Sequence, residues 1–141
     1  TSDMTIEHYR TNSIEECNAA IPELLSKAIY IPNARKYLFL DHSHLVDILC
    51  YGDDTYLITA DGDNYAQLLQ DITKLQLDGK PATDAKGVIL QILIPPNDNF
   101  SMSEVRDVQK LFYRFHEDNI IWGIQMLDSL EMRRLIVILT I

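Results

Sequence analysis

From Thr55 to the C-terminus the apolar residues change spacing from one segment to the next, moving between the twofold period of strands and the 3.6-residue period of helices. That order predicts strand, helix, strand, helix, strand, strand, which is an α+β chain. Tyr56–Thr59 reads as a strand. Asp61-Gly62-Asp63-Asn64 reads as a turn whose asparagine caps a helix through Leu75, with Tyr65, Leu68, Leu69, Ile72 and Leu75 inward. Gly79 and Pro81 end that unit. Val88–Ile94 is apolar and rich in β-branched residues, as a central strand covered on at least one face would be, and Pro95-Pro96 terminates it. Ser101-Met102-Ser103-Glu104 is a capping box for a helix whose stripe is Val105, Val108, Leu111, Phe112 and Phe115. Ile120–Leu127 and Arg133–Ile141 read as two strands joined through Asp128–Glu131 at a spacing that permits an antiparallel hairpin. The fold expected is a two-layer sandwich: a four-stranded mixed sheet with two main helices on one face. The other face is then wet, or rests on an N-terminal helix, another domain or a partner.

Ahead of this region, residues 1–12 are polar and without period, so they read as a tail or the remnant of a cut. Ser13-Ile14-Glu15-Glu16 fits a capping box, and Ile14, Cys17, Ile21, Leu24, Leu25 and Ile29 continue at helical spacing. Pro22 is expected to kink or split that helix, which stops before Pro32-Asn33. Residues 13–40 thus form a linking helix region, and residues 13–141 a single domain. Lys36-Tyr37-Leu38-Phe39-Leu40 leads into the polar loop Asp41-His42-Ser43-His44, which opens a short helix through Leu45, Val46, Ile48 and Leu49.

Composition narrows the function classes. A chain of 141 residues can bury one core. Its net charge of -9, with 12 basic residues scattered among 21 acids, argues against nucleic acid and against anionic membrane surfaces. No apolar run approaches the ~20 residues of a membrane span, so no direct membrane insertion is expected, and Thr1-Ser2-Asp3 does not open a signal peptide. Cys17 and Cys50 form neither a disulfide framework nor a metal spacing and read as small buried hydrophobes, which suits a reducing cytoplasm. Neither lies near a feature that would activate a thiol, and no Ser-His-Asp signature appears, so acyl transfer is not expected. With five glycines there is no Walker motif or other phosphate cradle.

Four segments carry a family likeness: Ala85-Lys86-Gly87-Val88-Ile89-Leu90-Gln91-Ile92, Glu104-Val105, Asn119-Ile120-Ile121-Trp122-Gly123, and Arg134-Leu135-Ile136-Val137-Ile138. With them, residues 41–141 resemble the C-terminal domain of FtsZ, the tubulin-like bacterial cell-division GTPase; residues 1–40 do so only loosely. The resemblance implies a domain that binds no nucleotide itself and presents a loop completing the GTPase site of the next subunit in a filament. GTP and Mg are then expected only on a separate nucleotide domain, with no cofactor in this chain. The expected partner is another copy or a GTP-binding domain of the same family.

In that family the catalytic loop reads Asn-x-Asp-Phe-x-Asp, and its acids polarise the attacking water. The matching stretch here is Phe39-Leu40-Asp41-His42-Ser43-His44. Asp41 falls on the first acid, Phe39 replaces the asparagine, and His44 stands at the second acid's position. A single carboxylate can orient water, and a histidine can share the task near neutral pH. The same residues have a plainer reading, with Asp41 as helix N-cap and His42 and His44 facing solvent. Asp41, His42, His44 and Asp47 also have the chemistry of zinc or manganese ligands, but spacing fixes no third ligand, so no metal is assigned. His116 reads as a helix-terminal residue and Trp122 as a packing residue. A different class remains open: an oligomeric ligand-binding or scaffolding module of this layering, as in chorismate-mutase-like trimers, which would bury polar side chains at a subunit seam.

Overall fold

The structure is a computed structural model that describes residues 3–49, 51–112 and 120–141, with Phe112 described by its backbone alone. Its elements are β1 (Asp3–Arg10), α1 (Ile14–Leu24), β2 (Arg35–Leu38), α2 (His42–Leu49), β3 (Asp54–Asp61), α3 (Tyr65–Thr73), a small hairpin of β4 (Gln76–Leu77) and β5 (Lys80–Pro81), β6 (Gly87–Ile94), α4 (Met102–Phe112), β7 (Ile120–Met126) and β8 (Arg134–Thr140). Cys50, Phe115 and His116 lie outside the described residues.

The main sheet has six strands in the order β1-β3-β8-β6-β7-β2, so the expected four-stranded sheet β3-β8-β6-β7 gains a strand at each edge. The added strands were hard to read because both are mostly exposed. β1, expected to be a tail, pairs antiparallel with β3 from Asp3↔Asp61 to Arg10↔Asp54. An edge strand needs little apolar alternation, since its pairing is satisfied by backbone bonds to one neighbour.

The expected hairpin of the last two strands is also corrected. β7 runs parallel to β6, and β8 pairs antiparallel with β6 on its other side. β6 is buried at every position from Gly87 to Leu93 and therefore takes a strand on both sides. Residues 127–133 cross over its end.

A second layer of helix corrects the two-layer expectation. Alternate residues of β3, β6 and β8, among them Ile58, Leu90 and Val137, form one core with Tyr65, Leu68, Leu69 and Ile72 of α3 and Val108 of α4. The opposite parity, including Leu57, Ile89 and Ile138, packs on Ala20 and Leu24 of α1 and on Leu45, Ile48 and Leu49 of α2. The sheet is thus the middle of three layers, which is why β6 and β8 read as continuous apolar runs. Trp122 packs, partly buried, against the α3/α4 core.

The helix starts follow their caps. Ser13 Oγ accepts the Glu16 N–H at 3.1 Å, Asn64 Oδ1 accepts the Gln67 N–H at 3.1 Å, and Glu104 Oε2 accepts the Ser101 N–H at 3.0 Å. Pro22 neither splits α1 nor ends it. It denies Asn18 a helical donor, and one turn later the ladder slips into a π-helical stretch, Leu25–Ile29, closed by Tyr30 N–H on the Leu25 carbonyl at 2.6 Å.

Candidate functional site

The loop singled out from sequence joins β2 to α2. Asp41 is the N-cap of α2: its Oδ1 accepts the Ser43 N–H at 2.9 Å and the Ser43 hydroxyl at 2.5 Å. His44 closes the cap from the other side, its Nδ1 accepting the Asp41 N–H at 3.0 Å. This is a capping box in which histidine does what glutamate or glutamine usually does at that position. Asp41 Oδ1 lies 3.1 Å from the same Nδ1. That approach becomes an ion pair only if Nδ1 gains a proton and gives up the backbone bond.

The Asp41 side chain is 43% exposed and that of His44 37%. Hydrogen bonding from the Ser43 hydroxyl first, and from the backbone N–H groups of Ser43 and His44 after it, holds the Asp41 carboxyl below its ordinary range. An ionised carboxylate at the surface with lone pairs to spare can orient a water molecule. The backbone N–H of His42 donates to the Tyr30 hydroxyl at 3.0 Å. Among the described residues no three His, Cys, Asp or Glu side chains are grouped to hold a metal ion, so Asp41 and His44 meet without a third ligand from His42 or Asp47.

Flanking this cap is a surface that the sequence reading passed over. Tyr30, Tyr37, Leu38 and Phe39 are 40%, 63%, 39% and 54% exposed. Lys36 Nζ lies between two of these rings, 4.7 Å from the Tyr30 centroid and 5.0 Å from that of Phe39, and the Tyr37 hydroxyl reaches the Met126 sulfur at 3.9 Å. Exposed aromatics beside a cation and a methionine have the composition of interface centres. The signal was present in Tyr37-Leu38-Phe39, three large apolar residues in a row at the end of a short, exposed strand.

At the other end of α2 a cavity of about 410 Å³ opens between Thr11, Ile14, Cys17, Ile21, Leu49 and Tyr51. Asp41 is not part of its lining. Among the described residues no helix is long and apolar enough to cross a membrane.

No family model matches the sequence, and no curated protein matches it. Solved structures do. An empty FtsZ dimer from M. jannaschii superposes with a TM-score of 0.55 at 17% identity, over 88% of this chain and 35% of that one. GDP-form protofilaments of TubZ from Bacillus thuringiensis serovar israelensis give a TM-score of 0.59 at 16% identity, over 89% of this chain and 35% of theirs. At this identity the likeness establishes the fold, which is tubulin/FtsZ-like, with a mixed sheet and four helices. The chain spans about a third of the length of each of these neighbours.

Proposed function

We propose that this chain is an assembly domain of a tubulin-like filament system, and that it presents the Asp41 loop to the nucleotide site of a neighbouring GTP-binding domain. The observation that carries the reading is the solvent-facing Asp41 carboxylate set beside the exposed Tyr30, Tyr37, Leu38 and Phe39. An interface that buries those rings brings the carboxylate to the partner's surface. Self-association is the expected mode, in keeping with neighbours that are an FtsZ dimer and TubZ protofilaments. In this reading GTP and Mg belong to the separate domain, the chain acts in the cytoplasm, and Asp41 orients the attacking water. His44 sets the conformation of the Asp41 backbone and can share its proton traffic.

The test is to add the chain to a GTP-loaded nucleotide domain of the same family and follow phosphate release. Activation by the natural chain, its loss in Asp41→Ala, and loss of co-sedimentation in Tyr37→Ser/Phe39→Ser support the reading. An unchanged hydrolysis rate at saturating chain defeats the catalytic part. A second reading, scaffolding without catalysis, is favoured by the cap itself, since Ser43 and His44 already use Asp41 as a structural residue. It is the outcome if the aromatic variants abolish association while Asp41→Ala changes only thermal stability.

A further inference from the structure

Two glutamines interrupt the apolar interior of the sheet: Gln91 in β6 and Gln125 in β7, 0% and 1% exposed. Both face the α1/α2 layer. Gln91 lies between Ile89 and Leu93 of that core, and Gln125 Nε2 donates to the Ile29 carbonyl, at the end of the π-helical stretch, at 3.1 Å. Their remaining polar atoms are orphaned: Nε2 and Oε1 of Gln91, and Oε1 of Gln125, find no hydrogen-bond partner among the described residues. A buried amide left so forfeits its hydration with nothing in return, and native interiors rarely tolerate that.

What Gln91 approaches is informative. It stands in register with Gly123 of β7, and a Cβ at Gly123 would collide with Gln91 Oε1. The same Cβ would lie 2.9 Å from the Leu38 carbonyl oxygen and 3.1 Å from Leu40 Cγ. The absence of a side chain at Gly123 therefore leaves the Gln91 carboxamide oxygen room on the side where the Leu38 carbonyl and the Leu40 side chain also lie, just before Asp41. Two acceptors, Gln91 Oε1 and the Leu38 carbonyl, converge there, and neither can donate to the other. Leu38 is also where the β2–β7 register shifts, so the ladder is irregular at this point.

We infer that Gln91 and the Leu38 carbonyl form a binding site for one internal water molecule, which ties the approach to Asp41 to the central strand. The water donates to Gln91 Oε1 and to the Leu38 carbonyl and accepts from Gln91 Nε2, the two-to-four-partner environment that internal waters occupy. Gln125 Oε1 is a further acceptor on the same face. The site does not depend on Asp41 acting on nucleotide: it concerns what fixes the loop, whatever the loop contacts.

Water-to-amide cross-relaxation in NMR spectra of the full chain tests it directly. The expected result is a cross-peak between water and the Gln91 side-chain NH2 with the sign of a long-lived bound molecule, together with slow hydrogen exchange over residues 38–44. The isosteric Gln91→Met variant should lose the bound water, melt at a lower temperature and exchange about tenfold faster over residues 38–44, as loss of a buried polar tie implies. Absence of the cross-peak in the natural chain overturns the inference. So does a Gln91→Met protein that melts as high or higher with unchanged exchange, because removing a truly unpaired amide is neutral or stabilising.

Discussion

Arg133 and Arg134 are consecutive, both paired to aspartate through two nitrogens, and yet should differ several-fold in what their charge contributes. Arg133 donates Nε and Nη2 to Asp98 at 2.9 and 2.6 Å and Nη1 to Glu104 at 2.5 Å. Its guanidinium sits 5.1 Å from the Tyr65 ring centroid and 5.9 Å from that of Phe100. Side-chain exposure is 11% for Arg133 and 9% for Asp98, against 33% and 24% for Arg134 and Asp61. Arg133→Met keeps the aliphatic stem over the rings and strands the Asp98 carboxylate in a nearly dry site; breaking such a pair costs about 3–5 kcal/mol. Glu104, 34% exposed, still reaches water. The retained methionine packing places the expected loss at the low end, about 3 kcal/mol. Arg134→Met leaves its partner hydrated, and about 1 kcal/mol is expected. Urea unfolding at neutral pH with unchanged m-values measures both. Adding Asp98→Asn to Arg133→Met should recover about 2 kcal/mol by removing the orphaned charge. Equal losses for the two arginine variants, or a double variant weaker than Arg133→Met alone, would refute the reasoning.

Three further outcomes are expected. The two-sided core predicts that Leu24→Ala and Leu69→Ala, both fully buried but on opposite faces of the sheet, each lose about 2–4 kcal/mol in the same unfolding assay; a sheet covered on one face would show only one such loss. Asp41 has a depressed pKa in the folded chain, so its stabilisation is present above the unfolded carboxyl value of about 3.9 and is lost as pH falls through the folded value; the melting difference between the natural chain and Asp41→Ala should shrink in that acidic window. Burial raises the Tyr65 phenol pKa, and its hydroxyl donates to the Leu93 carbonyl. Its contribution is therefore full below the unfolded phenol value of about 10 and is lost progressively as pH rises from there toward the raised folded value, and Tyr65→Phe, weaker by about 1 kcal/mol at neutral pH, should show a shallower alkaline decline.

Elements that bury one clear face were legible. α3, with Asn64 as cap and Tyr65, Leu68, Leu69 and Ile72 inward, follows from spacing alone, while β6 and β8, buried on both faces, were legible as continuous apolar runs. β1 and β2 were not, because edge strands are specified by backbone pairing and leave side chains such as Glu7, His8 and Lys36 free to be polar. The hairpin expectation failed because short separation in sequence favours adjacent pairing, and only the all-buried β6 between β7 and β8 shows why they part. At the loop, Asp41 was recognisable as a cap, but His44 as the reciprocal acceptor was not, since histidine is an unusual choice there. Gln91 and Gln125 carried the plainest unread signal: an amide inside Val88–Ile94 or Ile120–Met126 must find a partner in the interior.

The layering also limits how a partner can reach this domain. Both faces of the central strands β3, β8 and β6 are already occupied, one by α3 and α4 and the other by α1 and α2, so association by covering a bare central sheet is disfavoured. Strand addition at the β2 edge is disfavoured: β2 has four residues, begins with Arg35-Lys36, and loses register before Leu38, the features by which edges resist pairing. β1 carries Glu7, His8 and Arg10 along its length, engaged with Lys27, Asp54 and Glu16, and is blunted in the same way. With the central faces covered and the edges blunted, the described residues favour a contact by side chains. In the proposed assembly that contact is made by the exposed rings of Tyr30, Tyr37 and Phe39 around Lys36, and Asp41, one helix cap away, is the carboxylate presented to the neighbour.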